Sequence, residues 1–268
     1  MDVSAVVLSY NSRRYIEACV RSLVQSYAAC GLDGEIHVVE NGSRDGSADI
    51  LRGLQAELGD ALKVIYLPEN TGTTRSRNMA LRIARGRSVL ILDSDAYMNA
   101  PALRAMRDYQ RDNPRVGLVA PRLTYPSGKF QLSVDQFPTI ARKLQRYVAL
   151  RKLEEREPPA TAGAVDYAIS ACWLLSREAI SATGALDERI FYSPEDVDYC
   201  IRLWQAGYQV HYFPDVSVVH DAQEISRPKG IGINNFTIRH AKGLLYLFVK
   251  HRYGLSLAGL YRRVGRFT

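Results

Sequence analysis

Residues 88–97 read SVLILDSDAY: four apolar residues from Val89 to Leu92, then two carboxylates separated by one serine. A short run that is apolar on both faces suits a central parallel strand, because helices cover such a strand above and below. Its polar end admits two readings. Either the chain reaches water and Asp93, Ser94 and Asp95 satisfy free backbone groups at a turn, or the two carboxylates stand at a sheet edge to hold a cation.

The pattern repeats on either side of this stretch. "VSAVVLS" (3–9), "EIHVVE" (35–40) and "KVIYL" (63–67) are further β-branched runs, helical patterns begin near Ser12, at Ser47 and at about Thr74, and a helix near 101–112 precedes "VGLVAP" (116–121). This alternation predicts an α/β fold, with a Rossmann-like, mostly parallel sheet covered by helices on both faces. Ligands of such sheets bind outside the carboxyl ends of the strands, so the loops after Ser9, Glu40, Leu67 and Asp93 carry the functional expectation.

After residue 121 the rhythm changes. "TYPSGKF" (124–130) is a hairpin turn, and "ARKLQRYVALRKLEEREPP" (141–159) is a charged, helix-prone excursion. "VDYAISACWLLS" (165–176) reads as one strand, "SPEDVDYCIRLWQAGY" (193–208) as a helix, and "QVHYFPDVSVVH" (209–220) as a strand. The expected organisation is one α/β domain over 1–229, with a variable second half after about residue 121. A basic, amphipathic helical extension over 230–268 follows.

Composition narrows the class. The 268 residues are 47% hydrophobic and 24% charged, which suits a globular chain with a real core. The formal charge of +7 implies attraction to something anionic. The four cysteines form no CxxC pair and have no histidine at zinc spacing, so they read as reduced thiols. "MDVSAVVLSYN" lacks the basic start of an export signal, and "GLLYLFV" (243–249) is far short of the ~20 residues of a membrane span. The expectation is a cytoplasmic protein, at most peripheral on the inner face of the membrane.

No GxGxxG opens a helix after an early strand, and no GxxxxGK[ST] loop is present; "GIG" (230–232) follows no clear strand. A nucleotide-binding chain of this class therefore needs another way to neutralise a diphosphate, and Mg²⁺ or Mn²⁺ on carboxylates supplies one. Two further features belong with "DSD". In "SPEDVD" (193–198), Ser193 as N-cap, Pro194 at the first helical position and acids in the first turn form a good helix start, and one acid is also placed to act as a general base. His220 ends the run "VSVVH", either as a hydrogen-bonded structural residue or as a third metal ligand.

These pieces together form a pattern. "VVLSYNSRRYIEACVRSLVQS", "VVENGSRDGS", "ENTGTTRSRNMALRIARGRSVLILDSD" and "DERIFYSPEDVDYCIRLWQAGY" resemble, in order over residues 3–221, the inverting family 2 glycosyltransferases of the GT-A fold, especially the bacterial rhamnosyltransferase-like branch. The resemblance implies a metal-dependent transfer from a nucleoside diphosphate sugar, dTDP or UDP, to a glycan or polyprenyl-diphosphate-linked glycan, with no nucleic acid involved. Rhamnose is the implied sugar. The resemblance makes 1–121 the nucleotide-sugar-binding half and 122–229 the acceptor-binding half of a catalytic domain.

The resemblance also assigns roles. Asp95 is the metal ligand, Asp93 sits near the ribose and shares the metal, and His220 completes the site. Ser9, Glu40, Asn41, Arg77, Asn78 and Ser94 fall at nucleotide-sugar positions. Asp196 is the general base, with Glu195 as its neighbour. The family usually has Asp where this chain has Glu40, which alters the contact to the base.

The C-terminal stretch from "RHAKGLLYLFVKHRYG" onward interleaves basic and apolar residues. It reads as a helix packed on the domain or as an interfacial helix drawn to anionic lipid. A nucleotidyltransferase and a catalytically silent binding module are the alternative functions.

Overall fold

A computed structural model describes residues 1–140, 142, 161–222 and 235–265; side chains are described within these except for 235–238. The strands are β1 Val3–Ser9, β2 Gly34–Asn41, β3 Leu62–Leu67, β4 Ser88–Asp93, β5 Ala96–Tyr97, β6 Val116–Thr124, β7 Phe130–Gln131, β8 Val134–Asp135, β9 Gly163–Ala164, β10 Tyr167–Ala168, β11 Cys172–Ser176 and β12 Gln209–His220. The helices are α1 Ile16–Cys30, α2 Ser47–Leu58, α3 Thr73–Ile83, α4 Ala100–Asp112, α5 Arg177–Thr183, α6 Glu195–Gln205, α7 Asn235–Lys250 and α8 Ala258–Arg263.

The main sheet runs β3-β2-β1-β4-β11-β6-β12-β5. β3, β2, β1 and β4 are mutually parallel, so Leu67, Asn41, Ser9 and Asp93 end on one edge. β11 is antiparallel to both β4 and β6, while β6 and β12 pair in parallel. This is the mostly parallel α/β architecture that the alternation of strand and helix patterns predicts.

Alternation along the strands divides two cores. Val6, Val89 and Ile91 face a layer with Ala80 and Leu81 of α3 and Val197, Tyr199 and Cys200 of α6. Val3, Ala5, Val7, Leu90 and Leu92 face Ile16, Cys19, Val20 and Leu23 of α1, with Leu51 of α2 and Leu103 and Met106 of α4. Burial on both faces is why these strands lack a polar alternation. Leu247, Tyr253, Leu260 and Val264, from the C-terminal extension, join the first core, so α7 and α8 pack on the domain.

Three local expectations are corrected. The first helix begins at Ile16 and not near Ser12, because Ser12 is held in the preceding loop by Ser9 and Ser47. The stretch 165–176 is two strands, since Ile169 N–H turns to the Ser133 carbonyl and Ser170 is drawn to Arg77 and Glu195. Pro194, and not Ser193, occupies the N-cap of α6, which lacks a side-chain cap. The hairpin at 124–130 is present, closed by Gly128 N–H on the Tyr125 carbonyl. The helix-prone stretch 141–159, apart from Arg142, and "GIG" lie outside the described residues. All four cysteines are free thiols.

Candidate active site

β4 delivers Asp93 to the sheet edge, and the chain then turns through Ser94 and Asp95 into β5. β5 pairs antiparallel with the end of β12, in the register His220↔Ala96, and Asp221 N–H bonds the Asp95 carbonyl at 2.8 Å. That short pairing joins positions far apart in sequence. His220 Nε2 stands 3.2 Å from Asp95 Oδ1 and 3.9 Å from Asp93 Oδ2. One ligand atom from each of the three residues lies within 4.8 Å of the others.

The donor set fits a hard divalent cation. His220 Nδ1 is 2.8 Å from Gln131 Oε1, an acceptor, so Nδ1 carries the proton and Nε2 is left facing two carboxylates. Only a second proton or a cation makes that juxtaposition favourable. Burial alone would lower the His220 pKa, but the Asp95 hydrogen bond and the Asp93 and Asp95 charges raise it overall. Asp93 is raised in turn, by burial first, against the pull of Arg77. A metal ion would relieve both strains. Gln131, from β7, was not singled out by its sequence; only the fold places it behind His220.

Arg77 lies inside the protein, 2% exposed. Nη2 donates to Asp93 Oδ1, Nη1 donates to Ser170 Oγ at 2.7 Å, and Nη1 stands 3.5 Å from Glu195 Oε1. Ser170 Oγ donates onward to Glu195 at 2.9 Å. The Asp93 cluster and the Glu195–Asp196 pair are thereby bound into one network. Ser170 carries no sequence signal for this role.

Burial pushes Glu195 up to about 8, aided by the neighbouring Asp196 charge and opposed by Arg77. Two adjacent carboxyls in different environments can divide acid and base duties. Glu195 keeps its proton at neutral pH; Asp196 is partly exposed and accepts the Val197 N–H.

A cleft of about 510 Å³ opens at this edge. Tyr10, Asn11, Ser12, Asn41, Asn70 and Thr73 line one part of it, and Asp93, Ser94, Asp95 and His220 another. Phe191, Tyr192 and Arg239 complete the wall. Gly72 has φ +88°, and a Cβ there would fall 2.4 Å from the Phe191 carbonyl, which accepts the Thr73 N–H at 2.7 Å; only glycine permits this approach.

Of the remaining expected site residues, Asn41 is on the cleft lining, while Ser9, Glu40 and Asn78 are not. Ser9 Oγ pairs with Ser12 Oγ at 2.7 Å. Glu40 accepts the Gly42 and Ser43 N–H groups, and so shapes the loop after β2. Asn41 Nδ2 donates to Asn70 Oδ1, and Asn41 Oδ1 accepts the Thr71 N–H, tying two loops together at the cleft. Asn78 donates to the Leu186 carbonyl and Glu188 and accepts the Leu186 N–H. Arg77 and Asn78 thus hold protein groups.

Comparison with known proteins gives the family and the fold. The sequence profile of glycosyl transferase family 2 matches residues 4–184. The chain is 42% identical over 94 residues to the putative teichuronic acid biosynthesis glycosyltransferase TuaG of Bacillus subtilis, covering 35% of each chain. It is 29% identical over 142 residues to the N-acetylglucosaminyl-diphospho-decaprenol L-rhamnosyltransferase of Mycobacterium tuberculosis, covering 49% of this chain and 46% of that one. These matches span less than half the length of either relative.

Among solved structures, S. aureus TarS 1-349 in complex with UDP superposes with a TM-score of 0.64 at 17% identity, covering 100% of this chain and 70% of that one. The mannosyltransferase PcManGT from Pyrobaculum calidifontis, in complex with GDP-Man and Mn²⁺, gives 0.62 at 21% identity, covering 98% and 68%.

Proposed function

Because the chain belongs to glycosyl transferase family 2, we propose that it is a metal-dependent inverting glycosyltransferase, moving a sugar from a nucleoside diphosphate to a hydroxyl of a glycan or polyprenyl-linked glycan. The observation that carries the reading is the Arg77 network, which ties the Asp93, Asp95 and His220 cluster in the cleft wall to the buried Glu195 and its neighbour Asp196.

Asp95, Asp93 and His220 would hold Mg²⁺ or Mn²⁺, and the cation supplies positive charge for a diphosphate leaving group. The residues of the chain do the rest. Asp196 removes the proton of the acceptor hydroxyl as it attacks the anomeric carbon from the face opposite the diphosphate, which inverts configuration. Glu195 stays protonated beside it, so the pair carries one negative charge. Asn41, Asn70 and Thr73 offer polar groups to the nucleoside, and Tyr10 offers an aromatic face. A UDP or dTDP donor and a rhamnosyl unit agree with the motif resemblance and with the rhamnosyltransferase relative. The class is tested by product: a nucleoside diphosphate supports it, inorganic pyrophosphate points to a nucleotidyltransferase, and binding without turnover points to a silent module.

Peripheral membrane contact belongs to the same reading. No helix among the described residues is long and apolar enough to cross a membrane. Lys242, Leu245, Val249, Arg252 and Leu255 are nonetheless exposed at roughly helical spacing, with Arg262 and Arg263 beyond them. Such a basic and apolar surface suits the inner face of an anionic bilayer, where a lipid-linked acceptor resides. Co-sedimentation should rise with the fraction of anionic lipid and fall in a Leu245→Glu, Val249→Glu variant; insensitivity to both excludes the contact.

A further inference from the structure

The C-terminal helix α7 and the residues just after it touch the segment that carries the acid pair at four places. The Arg239 guanidinium carbon is 4.5 Å from the centroid of the Phe191 ring. A Cβ on Gly243 would fall 2.3 Å from the Ser193 carbonyl oxygen and 2.9 Å from Pro194 Cδ. Tyr246 and Lys250 each donate to Asp187 Oδ2 at 2.7 Å. Lys250 Nζ and His251 Nε2 stand 2.6 and 2.8 Å from Asp198 Oδ1.

Asp198 lies two residues beyond Asp196 in the first turn of α6, is 1% exposed, and also accepts from Arg202 Nε. Phe191, Ser193 and Asp198 bracket Glu195 and Asp196 in sequence. One helix therefore grips the acid pair from both sides. An apolar seam alone tolerates sliding, whereas a glycine notch and directional ion pairs fix both depth and rotation, and register is the best-attested use of buried charge.

We propose that Gly243, Lys250 and His251 are positioning residues for transfer: they hold α6 so that Asp196 meets the acceptor hydroxyl. This rests on the assignment of Asp196 as the base. None of the three lines the cleft among the described residues, and all act through Ser193 or Asp198. They lie beyond residue 184, where the family match ends, so the clamp is a feature of this chain outside the matched region.

The test compares the full chain with Gly243→Ala, Lys250→Met and Lys250→Arg, measuring kcat, donor KM, nucleoside diphosphate affinity by calorimetry, and melting. A misplacement near 1 Å costs on the order of 10²-fold, so kcat should fall about tenfold or more in Gly243→Ala and Lys250→Met while donor binding stays within about twofold. Lys250→Arg should restore most of the rate. Activity and donor affinity that fall together, in step with the folded fraction, would reduce the helix to a scaffold and overturn the proposal. Should Gly243→Ala not fold, the Lys250→Met and Lys250→Arg pair decides alone. A parent that binds donor yet releases no nucleoside diphosphate overturns the sugar-transfer reading, and the clamp with it; an active parent whose variants keep its kcat overturns the clamp alone.

Discussion

Arg77 Nη1 stands 3.5 Å from Glu195 Oε1, and Nη2 of the same guanidinium donates to Asp93. One buried cation is shared between Asp93, which the proposed function assigns to the metal, and Glu195, the neighbour of the proposed base Asp196. Replacing it with Met leaves both carboxyls without their partner. Removing one side of a buried pair costs roughly 3–5 kcal/mol, and the partial exposure of Asp93 places Arg77→Met near the lower end. Urea unfolding at pH 7 measures this; a loss below about 1 kcal/mol would contradict the bridging role.

Glu195, pushed up to about 8 by burial and by Asp196, is protonated at neutral pH. Its folded value lies above its unfolded one, so its stabilisation is complete in acid and disappears as pH rises through about 8. Ionised Glu195 also competes with Asp93 for Arg77. The kcat profile should therefore descend above about pH 8, and Glu195→Gln should stay active and lose that alkaline limb. An unchanged limb in the variant would dismiss Glu195 as its source.

Gln131 Oε1 fixes the tautomer of His220, beside the two acids proposed to hold the metal. Partners of this kind are worth about 10–100-fold in metal affinity. Gln131→Leu should weaken Mn²⁺-dependent nucleoside diphosphate binding by that factor, and Asp95→Ala should remove the metal dependence. Calorimetry with and without chelator reads both effects, and binding indifferent to metal in the parent would refute the site.

Burial alone would raise Asp187 and Asp198, but hydrogen bonds from Arg189, Lys250 and Tyr246 at Asp187, and from His251 at Asp198, hold both below the ordinary carboxylate range. The sign is opposite to that of Glu195: their stabilisation is present above the unfolded pKa and is lost as pH falls through the folded values. The melting temperature should decline steeply in acid, and Asp187→Asn should flatten that decline. Parallel curves for parent and variant would mean the C-terminal helix is held by its apolar contacts alone.

The sheet was legible in the sequence because β1 and β4 are buried on both faces and so show unbroken apolar runs. The loops after them were legible for the same reason, since parallel strands end on one edge. The inward turn of Arg77 was not legible: an arginine on a helix reads as solvated until the fold brings Asp93 and Glu195 to it. Ser170 was hidden inside a stretch that reads as continuous strand. The Asp198, Lys250 and His251 cluster joins residues some fifty positions apart, which local periodicity does not relate. Glu40 was legible as a strand-end acid, but its use on the Gly42 and Ser43 N–H groups depends on a turn that only the structure displays.

The most direct test follows nucleoside diphosphate release from a panel of UDP, dTDP and GDP sugars in the presence of Mn²⁺, with parent chain and Asp196→Asn side by side. The account predicts release by the parent from at least one donor, and none by the variant, which still binds that donor with parental affinity. Equal release by parent and variant would contradict Asp196 as the base, and with it the division of labour between the two acid clusters joined by Arg77.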